Sequence, residues 1–233
     1  MEISTQYFGK ISCSEKEFIH FSDGLFGFAD LKNYVPLAFQ ENSDALICLQ
    51  SIDDLSVSFI LMNPFQFYEK YEPELSQEDQ KLLKASDGED KVSYYVISVI
   101  HDPMESSTVN LKAPIAVNTE TREARQVILD NPLYRFRHPL KDFIKKGDSH
   151  ADSSKKKNNQ SLSIGDNITV SIVEIGNDWV KLAIDAPKEI SILRTELLEA
   201  ASANQEAASS CLNEDSISKI KDLMSQSKNS GNT

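Results

Sequence analysis

Hydrophobic and polar residues alternate along most of the first 140 positions, and this pattern predicts a series of short β-strands. The alternation is clearest in KVSYYVISVI, where one face carries Val92, Tyr94, Val96, Ser98 and Ile100. The run LSVSFILM, which ends at Asn63-Pro64, is almost continuously apolar and also predicts a strand. Many short strands at regular spacing indicate an all-β sandwich or barrel.

Two local signals interrupt the strands. In PELSQEDQKLLKA the pattern becomes helical, with Ser76 as the predicted N-cap and an acid, Asp79, three residues later. In FSDGLFGF, Gly24 and Gly27 predict turns in which the backbone adopts positive φ.

The pattern changes after residue 144. Residues 145–160 hold almost no large apolar side chain and are rich in Lys, Ser and Asn, which predicts a flexible, solvated linker. Strand alternation returns from residue 161, and Gly176-Asn177-Asp178 supplies the residues of a hairpin turn. From Thr195 the sequence TELLEAASANQEAA is helical in pattern.

A last amphipathic segment, residues 213–227, spaces its apolar side chains at i, i+3 and i+7, namely Ile217, Ile220 and Met224. We therefore predict four parts. They are a β-domain at 1–144, the linker at 145–160, a small β-sheet domain with a helix at 161–205, and an extension with a short helix and a disordered end at 206–233.

Charge and composition narrow the function classes. The chain has 233 residues and a formal net charge of -12, and an acidic surface favours protein partners over phosphate backbones. The exception is the segment 141–160, with six lysines and three aspartates. Three distant cysteines and four scattered histidines give no metal-ligand spacing. We expect no enzyme, no catalytic residues, no metal and no cofactor. Without a signal pattern or a long apolar run, we also expect a cytoplasmic protein that does not enter the membrane.

Three blocks of the front half carry a family resemblance: FSDGLFGFADLKNYVPL, SIDDLSVSFILMNPFQFYEKYEPEL and STVNLKAPIAVNTETREARQVILDN. The most specific feature is Asn110-Leu111-x-Ala113-Pro114-Ile115 followed by Arg125-Gln126-Val127. Residues 5–140 thus resemble the flagellar assembly factor FliW. The resemblance implies a β-barrel that binds flagellin and also binds the translational regulator CsrA, releasing it from flagellin mRNA. Asn110, Leu111 and Pro114 have two expected roles, in partner contact or in the core and turns of the barrel.

Residues 156–205 resemble CsrA itself. The resemblance rests on Ile164-Gly165-Asp166, the hairpin, Ala186-Pro187-Lys188-Glu189, and an arginine before the helix. It implies an interlocked homodimer that contacts GGA sequences in RNA stem-loops, where a guanidinium can pair with guanine. The resulting RNA-binding candidates are Lys156, Lys157, Ala186, Pro187, Lys188 and Arg194.

The sequence departs from the CsrA pattern at its start. That family begins with an apolar strand that carries an arginine pair, and here residues 151–160 read ADSSKKKNNQ. Lysine lacks the planar fork that reads bases, and Ser and Asp do not bury without partners. We therefore expect weak or absent RNA binding.

Three interpretations of function remain. The first is a regulator of flagellum assembly that binds flagellin and couples it to CsrA-type control, through CsrA or through its own CsrA-like half. The second is an RNA-binding translational repressor with a built-in antagonist. In the third, the CsrA-like half serves only for docking or dimerisation. In some FliW–CsrA pairs a C-terminal extension of CsrA carries the contact, so we expect the helix at 213–227 to dock on the chain's own FliW-like domain.

Overall fold

The computed structural model describes residues 1–85, 91–144, 162–164, 168–175, 180–187, 189–190, 194–210 and 214–228. The chain forms two compact units, the first made of Met1–Lys146 and Thr195–Thr233 and the second of Gly147–Arg194. The predicted boundary at residue 205 differs from this division. The helix that begins at Thr195 belongs to the first unit, because its buried face packs on side chains of the β-domain.

The first unit contains eleven strands among its described residues: β1 (Glu2–Thr5), β2 (Gly9–Ser12), β3 (Ile19–Phe21), β4 (Asn33–Ala38), β5 (Leu46–Ser51), β6 (Ser58–Met62), β7 (Val92–Val99), β8 (Thr108–Val109), β9 (Ile115–Asn118), β10 (Glu123–Gln126) and β11 (His138–Pro139). Seven of them form a closed ring in the order β7-β6-β5-β4-β3-β10-β9, because β7 pairs with both β6 and β9. The ring is antiparallel except where β10 runs parallel to β3. The predicted β-barrel is confirmed.

The remaining strands extend or cover the barrel. β8 pairs with the end of β7 and with β11, and the β1–β2 hairpin packs its Ile3 and Cys13 against Val35 of β4. Two short helices lie in the connections, α1 (Gln77–Leu82) and α2 (Lys141–Ile144).

The barrel interior is apolar and receives side chains from every strand of the ring: Ile19, Phe21, Tyr34, Ile47, Leu49, Phe59, Leu61, Ile97, Val99, Ile115, Val117 and Ala124. A second apolar layer lies on the outer face of β5, β6 and β7, where Leu46, Cys48, Ile60, Met62 and Val96 are buried. All residues of β5 and β6 are therefore buried. This arrangement explains why LSVSFILM lacks polar alternation.

The outer layer is covered by an aromatic-rich set of side chains, Tyr68, Tyr71, Tyr134 and Phe143, with ring centroids between 4.9 and 6.4 Å apart. The predicted local signals also hold. Ser76 caps α1 by accepting a hydrogen bond from the Asp79 amide at 3.1 Å. Gly24 and Gly27 have φ of +73° and +82°.

The second unit contains a three-stranded antiparallel sheet, β12 (Leu162–Ile164), β13 (Ile168–Ile175) and β14 (Val180–Asp185). The hairpin pattern of the sequence is confirmed, with a bulge between Ile172 and Glu174. The predicted turn residues and the predicted linker at 145–160 lie outside the described residues. On β14, Leu182 and Ile184 are 53% and 42% exposed.

Two longer helices end the chain, α3 (Thr195–Ser209) and α4 (Glu214–Lys228). Both occur where helical periodicity predicted them. Among the described helices, none has the length and apolar content that a membrane span requires.

Candidate functional site

Helix α3 packs against the barrel through a face of small side chains. Its buried residues are Ala200, Ala203, Asn204 and Ala207, which follow the i, i+3, i+4, i+7 spacing of one helix face. Ala207 joins the apolar cluster of the barrel interior, and the helix contacts β6 and β7. Alanine adds little bulk, so the helix backbone comes close to the barrel.

The helix backbone comes close to the barrel at Gly27, in the turn between β3 and β4. A Cβ at this position would lie 3.2 Å from both the Cβ and the carbonyl oxygen of Ala201. The positive φ of Gly27 also disfavours any side chain there. Gly27 thus meets two needs at once, the local turn and the contact with α3.

A buried amide pair holds the centre of this contact. Asn204 donates from Nδ2 to Gln126 Oε1 at 2.7 Å and to the Phe26 carbonyl at 2.9 Å. Gln126 in turn donates from Nε2 to Asn204 Oδ1 at 3.3 Å and to the Ala113 carbonyl at 3.1 Å. The Phe26 amide completes the network by donating to Gln126 Oε1 at 3.1 Å. Burial of such groups is tolerated only when they are paired, so the network fixes one position of the helix.

Charged groups line the rim of the contact. Arg137 donates from Nε to Glu206 Oε2 at 2.7 Å and from an Nη2 to Ser202 Oγ at 3.1 Å. His101 Nε2 lies 3.9 Å from the other oxygen of Glu206. We call the surface formed by Phe26, Gly27, Gln126 and Arg137 the α3 docking site.

The family-specific segment supports this site from beneath. Asn110 Oδ1 accepts from the Ala113 amide at 2.8 Å, and the Leu111 carbonyl accepts from the Tyr71 hydroxyl at 2.9 Å. Asn110, Leu111 and Pro114 are all buried. Their burial and hydrogen bonds fit a role in the core and turns of the barrel, while a role in partner contact stays a prediction.

Arg125 braces the same segment with two ion pairs. Its guanidinium contacts Asp23 in the turn that carries Gly24, and its Nε lies 2.9 Å from Asp79 of α1. The turn beside α3 is thus tied to β10.

Helix α4 meets the barrel at a second place, on the outer layer. Ile220 is fully buried in the same cluster as Tyr71, Tyr134 and Leu140, and α4 contacts the 3-10 turn Pro64–Gln66. Ile217 is partly buried. Met224 lies within α4, but its side chain is outside the described residues. We call the surface formed by Phe65, Tyr71 and Tyr134 the α4 groove.

The RNA-binding candidates divide into described and undescribed positions. Arg194 is exposed and directly precedes α3, and Ala186 and Pro187 are half-buried in a turn where the Pro187 carbonyl accepts from the Ile190 amide at 3.0 Å. Lys156, Lys157 and Lys188 lie outside the described residues. Within the described residues, no group of three or more His, Cys, Asp or Glu side chains is arranged to hold a metal ion.

Burial determines the electrostatics of the aromatic layer. It raises the pKa of the Tyr71 phenol, which keeps this group a hydrogen-bond donor to Leu111. It lowers the pKa of His138, against the opposing effect of Asp142, and the His138 ring stacks on Phe143 with the centroids 5.0 Å apart.

Sequence patterns missed the residues that form the α3 docking site. Gln126 lies in a segment that the sequence marked only by its family resemblance, and the residues around Arg137 form no recognisable motif. Asn204 was the one available sign, since it is a polar residue on the alanine face of α3.

Comparison with known proteins assigns both parts of the chain. Residues 2–140 match the family model of the FliW protein, and residues 155–203 match that of CsrA, a global regulator protein family. The flagellar assembly factor FliW of Caldanaerobacter subterraneus is 36% identical over 151 residues, 65% of this chain and all of that relative. The FliW of Geobacillus kaustophilus is 37% identical over 60% of this chain and 95% of its own length.

A solved structure agrees. The crystal structure of a flagellar assembly factor FliW is 36% identical and superposes with a TM-score of 0.56, covering 60% of this chain and 96% of its own. The match to the FliW family model, residues 2–140, extends over more than half of the chain. The barrel has the fold of that crystal structure. The chain belongs to the FliW family and carries a CsrA domain after its barrel.

Proposed function

We propose that this protein is a cytoplasmic, non-enzymatic regulator of bacterial flagellum assembly that controls a CsrA domain within its own chain. Its FliW barrel would bind flagellin, and flagellin binding would change the availability of the CsrA domain. The supporting observation is the position of α3. The CsrA match ends at residue 203, inside α3, and this helix is bound to the FliW barrel through Asn204 and Gln126.

Covalent connection makes this contact the resting state. A tethered partner has an effective concentration on the order of millimolar, so even a weak docking surface stays occupied. The α3 contact is anchored by the buried amide pair of Asn204 with Gln126, and the Arg137–Glu206 ion pair at its rim adds little. We infer that flagellin changes the state of the CsrA domain by releasing α3.

The chemistry of the CsrA domain favours a limited RNA role. Arg194 is exposed and available to a base, and it is the residue directly before α3. The acidic net charge of -12 and the loss of the first apolar strand both weaken contact with RNA. The exposed Leu182 and Ile184 on β14 are consistent with a homodimer through this domain.

The experiment measures flagellin and RNA binding in the same protein. Flagellin is titrated by calorimetry into the wild type, and a GGA-containing stem-loop is titrated with and without flagellin at low and moderate salt. Ala203→Glu places a charge on the buried face of α3 and releases it. Gln205→Glu, at an exposed position of the same helix, is the matched control.

We expect the wild type to bind flagellin, and we expect RNA affinity to rise with flagellin or with Ala203→Glu but not with Gln205→Glu. A wild type that does not bind flagellin would rule out the proposal. RNA affinity that flagellin and Ala203→Glu leave unchanged would rule out control through α3. If no variant binds RNA even at low salt, the CsrA domain serves for docking or dimerisation alone.

A further inference from the structure

We propose that the mouth of the barrel is a binding site for a small monocarboxylate, with the apolar body of the ligand inside the barrel and its carboxylate beside Arg122. The site uses no residue of the α3 docking site or of the α4 groove. The inference is independent of the flagellin and RNA roles proposed above.

A cavity of about 250 Å³ lies at one end of the barrel interior. Its floor consists of apolar side chains that are at most 2% exposed, namely Phe21, Leu49, Leu61 and Ile115. Exposure increases toward the rim, where Ser93 and Tyr95 are half-buried and Thr119 and Arg122 are exposed. An apolar floor with a few polar groups at the rim is the usual form of a small-molecule site, and barrel mouths are a common place for one.

The residues of β7 leave room for this cavity. Its alternate residues Ser93, Tyr95, Ile97 and Val99 face the barrel interior, and Ser93 is the smallest of them. The interior of a barrel of about eight strands is either filled by side chains or holds one small ligand. A large side chain at position 93 would therefore fill the space that we assign to the ligand.

The volume sets the size of the ligand. An apolar cavity of about 150 Å³ holds benzene, which corresponds to about 25 Å³ for each non-hydrogen atom. By the same ratio, about 250 Å³ takes about ten non-hydrogen atoms. A carboxylate with a hydrocarbon chain of about seven carbons has this size.

Arg122 gives the rim a cation that a carboxylate can bind. Within the described part of the chain its guanidinium forms no ion pair, and it donates only a long hydrogen bond of 3.4 Å to the Glu17 carbonyl. Burial and the nearby Asp44 carboxylate raise the pKa of the Tyr95 phenol, which places a negative charge on that side of the rim. The anionic head of a ligand therefore belongs beside Arg122.

The cavity and the α3 docking site lie at opposite ends of the β9–β10 hairpin. Thr119 and Arg122, in the turn of this hairpin, line the cavity. Gln126, which is paired with Ile115 at the other end of the hairpin, holds Asn204 of α3. Binding in the cavity therefore does not require α3 to leave the barrel.

The test titrates sodium octanoate, a carboxylate of the expected size, into the full-length protein. Methyl NMR locates the site. We expect shifts of the Leu61 and Val117 methyl groups in the cavity, and none of Ile3 or Ile220, which lie in other apolar clusters. At about a hundred times its Kd, octanoate should also raise the Tm by about 5–10 °C.

Two pairs of variants test the body and the head of the ligand. Ser93→Phe fills the cavity and should abolish octanoate binding, whereas Ser4→Phe adds the same side chain at an exposed strand position and should not. Arg122→Gln should weaken octanoate binding about two- to fivefold, as expected for an exposed ion pair, and leave binding of neutral 1-octanol unchanged. Arg135→Gln, at an exposed arginine outside the cavity, should change neither.

A wild type that does not bind octanoate would overturn the proposal, as would shifts confined to methyl groups outside the cavity or unchanged affinity in Ser93→Phe. If 1-octanol and octylammonium bind the wild type as tightly as octanoate, the carboxylate head is wrong. Circular dichroism shows whether Ser93→Phe folds. If it does not, the methyl shifts of the wild type and the comparison of Arg122→Gln with Arg135→Gln decide the question.

Discussion

Replacing Gly27 by alanine tests whether α3 is bound where the structure places it. The change adds one methyl group at a backbone φ of +82° and 3.2 Å from the Ala201 Cβ and carbonyl oxygen. Gly9 offers a matched control. It has a φ of +64°, but a Cβ there would meet nothing within 4 Å.

Both substitutions carry the cost of a left-handed backbone, and only Gly27→Ala adds a steric cost against α3. A left-handed backbone costs an L-residue about 1–2 kcal/mol, so Gly9→Ala should lower the free energy of unfolding by about that amount. Gly27→Ala carries the same backbone cost and also forces Ala201 away by a few tenths of an ångström. Overpacking of a close contact costs about 1–3 kcal/mol. The excess of Gly27→Ala over Gly9→Ala should therefore be about 1–3 kcal/mol.

Urea denaturation measures both free energies, and amide hydrogen exchange shows where the cost falls. We expect Gly27→Ala, but not Gly9→Ala, to reduce the protection of the α3 amides. Adding Ala201→Gly should restore part of the lost docking, after allowance for its own helix cost of about 1 kcal/mol. Equal losses for the two glycine variants, with α3 protection unchanged in both, would show that the helix does not contact Gly27.

Three further predictions concern stability. Asn204→Ala should weaken α3 docking by about 2–3 kcal/mol, because it removes three hydrogen bonds and leaves part of Gln126 unpaired. Hydrogen exchange of the α3 amides checks this against an exposed control, Gln205→Ala. A smaller loss of protection in Asn204→Ala than in the control would contradict the prediction. Arg137→Ala should lower the free energy of unfolding by only about 0.5 kcal/mol, because the ion pair of Arg137 with Glu206 is partly exposed. The difference should vanish at high salt, which urea denaturation at several salt concentrations measures. Burial raises the pKa of the Cys48 thiol from 9.0 to about 12, so the unfolded chain loses the thiol proton at lower pH than the folded chain does. The free energy of unfolding should therefore fall between about pH 9 and 12, by about 1.4 kcal/mol per pH unit. Cys48→Ala should remove this contribution to the pH dependence.

The barrel and the helices could be predicted from the sequence because each has a local cause. Alternation produced the strands, Ser76 produced the start of α1, and Gly24 and Gly27 produced the turns. These features depend on residues that are near one another in the chain, and local patterns report such relations well.

The position of α3 could not be predicted in the same way. Apart from Asn204, its buried face consists of alanines, which differ little in hydrophobicity from the polar residues on the other faces of the helix. A face of this kind packs equally well on a small sheet or on a barrel. Its partner, Gln126, lies 78 residues before Asn204. Only the fold shows that a buried amide on one segment meets its complement on the other.

One stretch of chain connects the two docking surfaces, which gives a physical route between them. The Leu111 carbonyl accepts from Tyr71, in the cluster that buries Ile220, and two residues later the Ala113 carbonyl accepts from Gln126, which holds Asn204. We expect a change in the α4 groove that shifts Tyr71 to reach the α3 docking site through this buried, hydrogen-bonded segment.

Coupling between two sites on one domain is typically about 1–3 kcal/mol. Ile220→Asp should therefore lower the protection of the α3 amides by about 5-fold or more, although Ile220 is not among the buried residues of the α3 face. The control Ser218→Asp, which adds the same charge at an exposed position of α4, should leave α3 unchanged. To separate this route from a pull through the short connection between the helices, the same exchange is measured after a flexible Gly-Ser insertion within residues 210–213, which keeps α4 tethered. Loss of the effect in the lengthened chain would assign it to the connection, whereas persistence would assign it to the segment from Leu111 to Ala113.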